Sequence, residues 1–239
     1  MEKTIVMVTG IPGVGKTTLL DRMQSEFQRK GFRSAVVDEY RFLLEWSKLP
    51  NSQAWLFPRE NSFDIRPEGY RLMSSYVARR VAEDIQGRLE EGVSAVMFET
   101  ARGVGDPMVT YVGFVSEILD HLPDMRSEVL LSNIEVTAPL PVVEERLQLR
   151  YLENRETAMP PEAVYKYLDP DGQPLVSSVD EFRRVGLDLP IVLNERISNG
   201  TGKEAFWRRL EGSLLPTIFE GNGMLPGSEG PMRLHSPER

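Results

Sequence analysis

Residues 10–18 read GIPGVGKTT, a glycine, four residues, a second glycine, a lysine and two threonines. They sit between an apolar β-branched run, Thr4 to Val8, and a stretch from Thr17 to Lys30 in which Leu19, Leu20, Met23 and Phe27 recur at helical spacing. Strand, glycine-rich loop and helix in that order make a cradle for phosphate. Gly10, Gly13 and Gly15, with Pro12 and Val14 between them, let successive backbone amides converge on phosphate oxygens, and the start of the helix adds its positive dipole end. In such a loop Lys16 reaches the β- and γ-phosphates, Thr17 ligates magnesium and Thr18 completes the motif, so ATP and Mg2+ are the expected cofactors.

Outward from the loop the alternation continues. Ser34 to Val37 reads as a second strand, Pro67 to Glu91 as a long helix, Val93 to Phe98 as a third strand and Val109 to His121 as a helix. Val129 to Val136 follows as a fourth strand, Pro141 to Tyr151 as a helix, Pro190 to Leu193 as a short fifth strand and Lys203 to Leu210 as a closing helix. Strands that alternate with helices imply an α/β fold of three layers, a mostly parallel five-stranded sheet covered on both faces. One domain over residues 1–219 is expected. Asp169 to Gln173 (DPDGQ) is a turn-rich linker. Residues 220–239 form a tail whose stretch from Gly221 holds four glycines and three prolines, a composition of disorder.

Composition narrows the chemistry. The 239 residues contain no cysteine, which excludes disulfides, thiolate metal sites and a cysteine nucleophile and suits a reducing, cytoplasmic compartment. The two histidines, His121 and His235, are too far apart in sequence to suggest a metal site. No apolar run approaches the ~20 residues that cross a bilayer, so no membrane partner is expected. A net charge of −8 argues against a broad nucleic-acid footprint while leaving room for a local basic groove. Oligomeric state is not legible.

In an open parallel sheet the ligand crevice lies at the carboxyl ends of the strands. The second strand ends in Asp38-Glu39-Tyr40-Arg41 and the third in Glu99-Thr100-Ala101-Arg102. A carboxylate beside the γ-phosphate can take a proton from an attacking hydroxyl and another can hold magnesium, which makes Asp38 the expected base and Glu99 the magnesium-side carboxylate. The competing reading makes Asp38 a helix cap and Glu99 a solvated residue after a strand. Beyond the fourth strand, Arg146 and Arg150 are four apart on one helical face, and with Arg155 they form an arginine-rich lid over about 146–162 that would converge on the transferring phosphoryl group. The string Asn199 to Glu204 (NGTGKE) lacks the phosphate-loop spacing and reads as a turn opening the last helix.

GIPGVGKTT, DEYR after the second strand and FET after the third together resemble the kinase domain of polynucleotide kinases, within the adenylate-kinase-like P-loop kinases. The resemblance covers Met1 to about Asp169 and is concentrated in these short segments, with Glu99 standing where that family has an aspartate. It implies that Asp38 is the base for a nucleic-acid 5′-hydroxyl and that Arg41 helps place the substrate phosphate. Broader relatives phosphorylate sugars, nucleosides or modified DNA bases, so the implied reaction is firmer than the implied acceptor. The segment of about 41–91 is the expected acceptor side: it carries eight basic and eight acidic residues and seven of the twenty aromatics, among them Trp46 and Trp55. Those rings would either stack a base, with Arg59, Arg66 and Arg71 meeting a phosphate, or anchor an insertion to the core. The expectation is a kinase for a hydroxyl of a nucleic acid or nucleotide, a hydroxymethylated DNA base included. A small-molecule kinase and a nucleotide-driven switch are the alternatives.

Overall fold

The computed structural model describes residues 3–58, 63–102, 110–123, 125, 128–153, 160–187, 190–200 and 203–221. Five strands form one sheet, β1 (Lys3–Thr9), β2 (Ser34–Val37), β5 (Ala95–Thr100), β6 (Val129–Thr137) and β7 (Ile191–Ser198), in the order β2-β5-β1-β6-β7. Every pairing in it is parallel, so the sheet is wholly and not mostly parallel. The antiparallel pair, β3 (Leu56–Pro58) with β4 (Phe63–Ile65), stands apart as a hairpin.

Parallel strands need crossovers, and here the crossovers are helices on both faces. The helices are α1 (Lys16–Arg29), α2 (Glu39–Ser47), α3 (Pro67–Glu90), α4 (Tyr111–Asp120), α5 (Leu140–Glu153), α6 (Ser178–Val185), α7 (Lys203–Arg209) and α8 (Leu215–Gly221). β1 shows how the sheet serves two cores: Ile5 and Met7 enter the core built with α2, α3, α4 and α6, whereas Val6 and Val8 enter the core built with α1, α5, α7 and α8.

Several boundaries differ from those read in the sequence. β5 starts two residues later and extends through Thr100, pairing Val8 with Glu99 and Thr9 with Thr100, so Glu99 lies inside a strand and not after one. β7 runs on to Ser198, and Asn199 N then donates to Thr137 O at 2.7 Å. α6 is absent from the sequence reading. It starts at the Ser177 cap, whose side chain accepts from Asp180 N, and is held to the core by Phe182. The last helix continues through a π turn, Leu210–Leu214, into α8, which carries ordered chain past residue 219 to Gly221. The rest of the expected tail, 222–239, lies outside the described residues, as do Arg59 and Arg155. No helix among the described residues is long and apolar enough to cross a membrane.

Candidate functional site

The loop between β1 and α1 is shaped by backbone that only glycine adopts freely. Gly10 has φ 132° and a Cβ there would lie 2.3 Å from Val136 O; Gly15 has φ 99° and a Cβ there would lie 2.5 Å from Asn199 Nδ2. Lys16 opens α1 and is buried, its Nζ donating to Gly10 O at 3.0 Å and Ile11 O at 3.2 Å. Burial lowers its pKa, and the carboxylates of Glu99 and Glu39 oppose that shift, while the charge of Arg150 adds to it. All four charges therefore act on one locus.

Thr17 Oγ1 donates to both oxygens of Glu99, at 3.0 and 3.1 Å. A hydroxyl and a carboxylate so close are hard oxygen donors of the type magnesium takes, one or two protein ligands with the rest drawn from phosphates and water. Among the described residues there is no cluster of three or more acidic or histidine ligands. Such a site therefore suits a metal shared with a nucleotide, and Thr17 and Glu99 fit it.

Asp38 directly follows β2, is exposed, and caps α2 by accepting from Arg41 N at 3.3 Å. The capping role weighed in the sequence is thus present, and it leaves the second carboxylate oxygen available to a ligand. Arg41 is engaged by carboxylates of α2 and α3. Its guanidinium pairs with Asp84 of α3 at 3.3 Å and with Glu45 at 3.7 Å and lies over the Phe42 ring. Arg146 is turned to the phosphate loop's own backbone, its Nη1 donating to Val14 O at 3.1 Å and Gly13 O at 3.4 Å and its Nη2 to Asn199 O at 3.2 Å. Arg150, further along α5, is exposed and close enough for its charge to act on Lys16.

Four residues enter the site that the sequence reading did not single out. Asn199 donates from Nδ2 to Val14 O at 2.7 Å and so braces the loop from the end of β7, although its NGTGKE string was assigned no phosphate role. Glu39, the neighbour of Asp38, is nearly buried and accepts from Arg102 Nη2 at 2.8 Å, side chains 15% and 4% exposed. Burial pushes its carboxyl up, against the pull of Arg102, a hydrogen bond from Thr100 and the charge of Lys16. Arg102 in turn lies on the Phe114 ring, 3.6 Å from its centroid. Glu135 of β6 is the fourth: buried, it accepts from Ser177 Oγ at 2.7 Å and Val179 N at 3.1 Å and pairs with Arg196 at 3.3 Å, which ties α6 to the sheet. A cavity of about 460 Å³ opens beside that network, between Ile11, Pro139, Leu168 and Arg196.

The acceptor side is corrected in one respect. Phe42 and Trp46 are 1% and 5% exposed and belong to the core, so the anchoring reading of these aromatics holds and a stacking role for Trp46 does not. Trp55 is half-buried, with its Cβ against Gly69. The arginines of α3 are largely paired: Arg79 with Glu83, Arg80 with Glu45 and Glu83, Arg88 with Asp84.

Comparison with known proteins adds the following. Residues 2–38, which carry β1, the loop, α1 and β2, match the family of methylmalonyl-CoA mutase-associated GTPase MeaB. The chain is 29% identical over 92 residues to an adenylate kinase of Saccharolobus solfataricus, a match of 38% of this chain and 46% of that protein. Adenylate kinase from a strain of Saccharolobus islandicus is 28% identical over the same length and coverage. The match thus spans about half the length of the curated relatives. A solved structure of a candidate kinase from Chloroflexus aurantiacus superposes over 91% of this chain and 99% of its own with a TM-score of 0.51 and 14% identity. An APS kinase from Mycobacterium tuberculosis gives 0.47 at 12% identity over 91% of this chain and 98% of that one. The fold is therefore that of a P-loop kinase-like α/β protein.

Proposed function

We propose that the chain is an ATP-dependent kinase that transfers the γ-phosphoryl group to a hydroxyl. The observation that carries this reading is the Thr17–Glu99 contact beside Lys16 at the head of α1, with Asp38 directly following β2, the strand paired to the one that carries Glu99. Lys16 and the loop amides would hold the β- and γ-phosphates, with Thr17 and Glu99 holding magnesium, which neutralises charge on the phosphate oxygens. Asp38 would accept the hydroxyl proton as the acceptor oxygen bonds to phosphorus and the bond to the β-phosphate oxygen breaks, leaving ADP. Arg150 would add its charge beside the transferring group, and Arg146 would act through the loop it braces.

For the acceptor, the resemblance of the DEYR segment suggests a nucleotide or nucleic-acid hydroxyl, a hydroxymethylated base included. Two observations favour the second reading, a nucleoside or sugar: Trp46 is packed into the core, and Arg41, Arg79, Arg80 and Arg88 are matched by carboxylates, which lowers the positive charge offered to a polyanion. The similarity to a GTPase family supports a third reading, a nucleotide switch, but Leu193-Asn194-Glu195-Arg196 does not supply an Asn-Lys-x-Asp guanine motif. The test is γ-labelled ATP, and separately GTP, incubated with nucleosides, sugars and 5′-hydroxyl oligonucleotides at low and high salt. Label on a hydroxyl supports a kinase. Nucleotide hydrolysis that responds only to a protein partner would overturn it.

A further inference from the structure

We propose that Glu39 and Arg102 form a strut that sets the spacing between Asp38 and Glu99, and that both are positioning residues for phosphoryl transfer. The inference rests on the kinase reading above. Its ground is the way the two strands part. β2 and β5 are paired from Ser34 with Ala95 up to Val37 with Phe98, and there the ladder ends. Asp38 and Glu99 are each the first residue beyond it: Glu99 stays paired with Val8 of β1, but no β2–β5 ladder bond holds the proposed base to the proposed metal-side carboxylate.

One ion pair bridges that gap. Glu39 adjoins Asp38 and opens α2, and Arg102 comes three residues after Glu99. Their 2.8 Å contact is nearly dry. Arg102 is fixed to α4 from two directions, its guanidinium on the Phe114 ring and its backbone N donating to Tyr111 Oη at 3.2 Å. α4, Arg102, Glu39 and the first turn of α2 thus make one continuous brace ending at Asp38.

As a stabilising device the pair is poor. A buried ion pair offsets its desolvation only when its remaining donors and acceptors are satisfied. Here Arg102 Nε is buried and has no hydrogen-bond partner among the described residues, while Thr100 is the one side-chain hydrogen bond that bears on Glu39 besides the pair. A buried ion pair with an unsatisfied donor calls for a geometric or chemical explanation, and bracing the two segments supplies it.

The experiment separates bracing from packing by comparing the single variant R102M with the double variant E39Q/R102M. R102M strands a buried carboxylate and should melt well below wild type, whereas the neutral double variant should recover much of that stability. The activity probe is slow hydrolysis of γ-labelled ATP with water as acceptor, and the binding probe is a fluorescent ATP analogue with and without magnesium. On the proposal, the double variant binds nucleotide like wild type yet hydrolyses ATP roughly a hundredfold more slowly, the scale of a misplacement of about 1 Å. Hydrolysis at the wild-type rate in the folded double variant overturns the strut. Should the double variant fail to fold, Arg102→Lys keeps the charge without the planar group on Phe114: folded and slow supports the strut, folded and fully active overturns it. A wild-type chain that neither hydrolyses nor transfers the γ-phosphate overturns the kinase reading itself and the strut with it.

Discussion

Trp46→Ala distinguishes a core aromatic from a stacking platform. The indole is 5% exposed in the core shared by α2, α3 and β5, one helical turn from Phe42. Truncation removes the buried ring and leaves a cavity that the surrounding helices fill only in part, a loss of about 3–5 kcal/mol. At roughly 2–4 °C per kcal/mol for a chain of this size, the melting temperature should fall by about 6–20 °C. Thermal melting followed by far-UV circular dichroism reads this directly, with a urea titration as a check. In whatever fraction stays folded, the Michaelis constants for ATP and for the acceptor should be close to wild type. A platform that stacks a base would behave oppositely, with unchanged melting and acceptor binding weakened by ~1–3 kcal/mol. That opposite result would refute the burial argument and restore the nucleic-acid acceptor.

Lys16→Ala should abolish transfer with little change in melting, because it removes a buried ammonium whose charge would serve phosphate and whose hydrogen bonds among the described residues go to two loop carbonyls; normal turnover would remove the phosphate-loop assignment. Asp38→Asn keeps the α2 cap, since asparagine caps as well as aspartate, and should slow transfer by roughly a hundredfold while ATP still binds; an unchanged rate would reduce Asp38 to its cap. The Asp180 carboxyl is held below its ordinary value by hydrogen bonds from Arg196 and Ser177. With a depressed folded pKa, its stabilisation is present above the ordinary carboxylate range of about 4 and is lost as pH falls through the folded value. Asp180→Asn should therefore flatten the loss of stability below about pH 4, read by melting across the acid range; an identical acid profile in the variant would show the pair to be inert.

The sequence carried the sheet and the phosphate loop because their signals are local. A β-branched run, a loop with fixed glycine spacing and a helix with apolar residues at 3.6 periodicity are each contained in about twenty residues. α6 was missed because it has eight residues, follows a turn-rich segment and is secured by Glu135, whose strand lies more than forty positions earlier. Glu39 and Arg102 escaped for the same reason, since their contact spans 63 positions and depends on β2 and β5 being neighbours. Phe42 and Trp46 did carry a local signal. Their spacing of four places both on one face of α2, the pattern of a core face, but stacking and packing call for the same ring and only burial separates them. Asn199 was obscured by its setting, a string that imitates a phosphate motif without its spacing.

The brace on the phosphate loop has a consequence for the order of events during synthesis. Val14 is held by an asparagine 185 positions later, at the end of the strand that borders the sheet. A ribosome delivers every residue of the loop at the outset, yet the clasp that shapes it arrives only after β7 has emerged and paired with β6. On the kinase reading, the final shape of the loop, and with it a grip on nucleotide, would await the completion of the sheet.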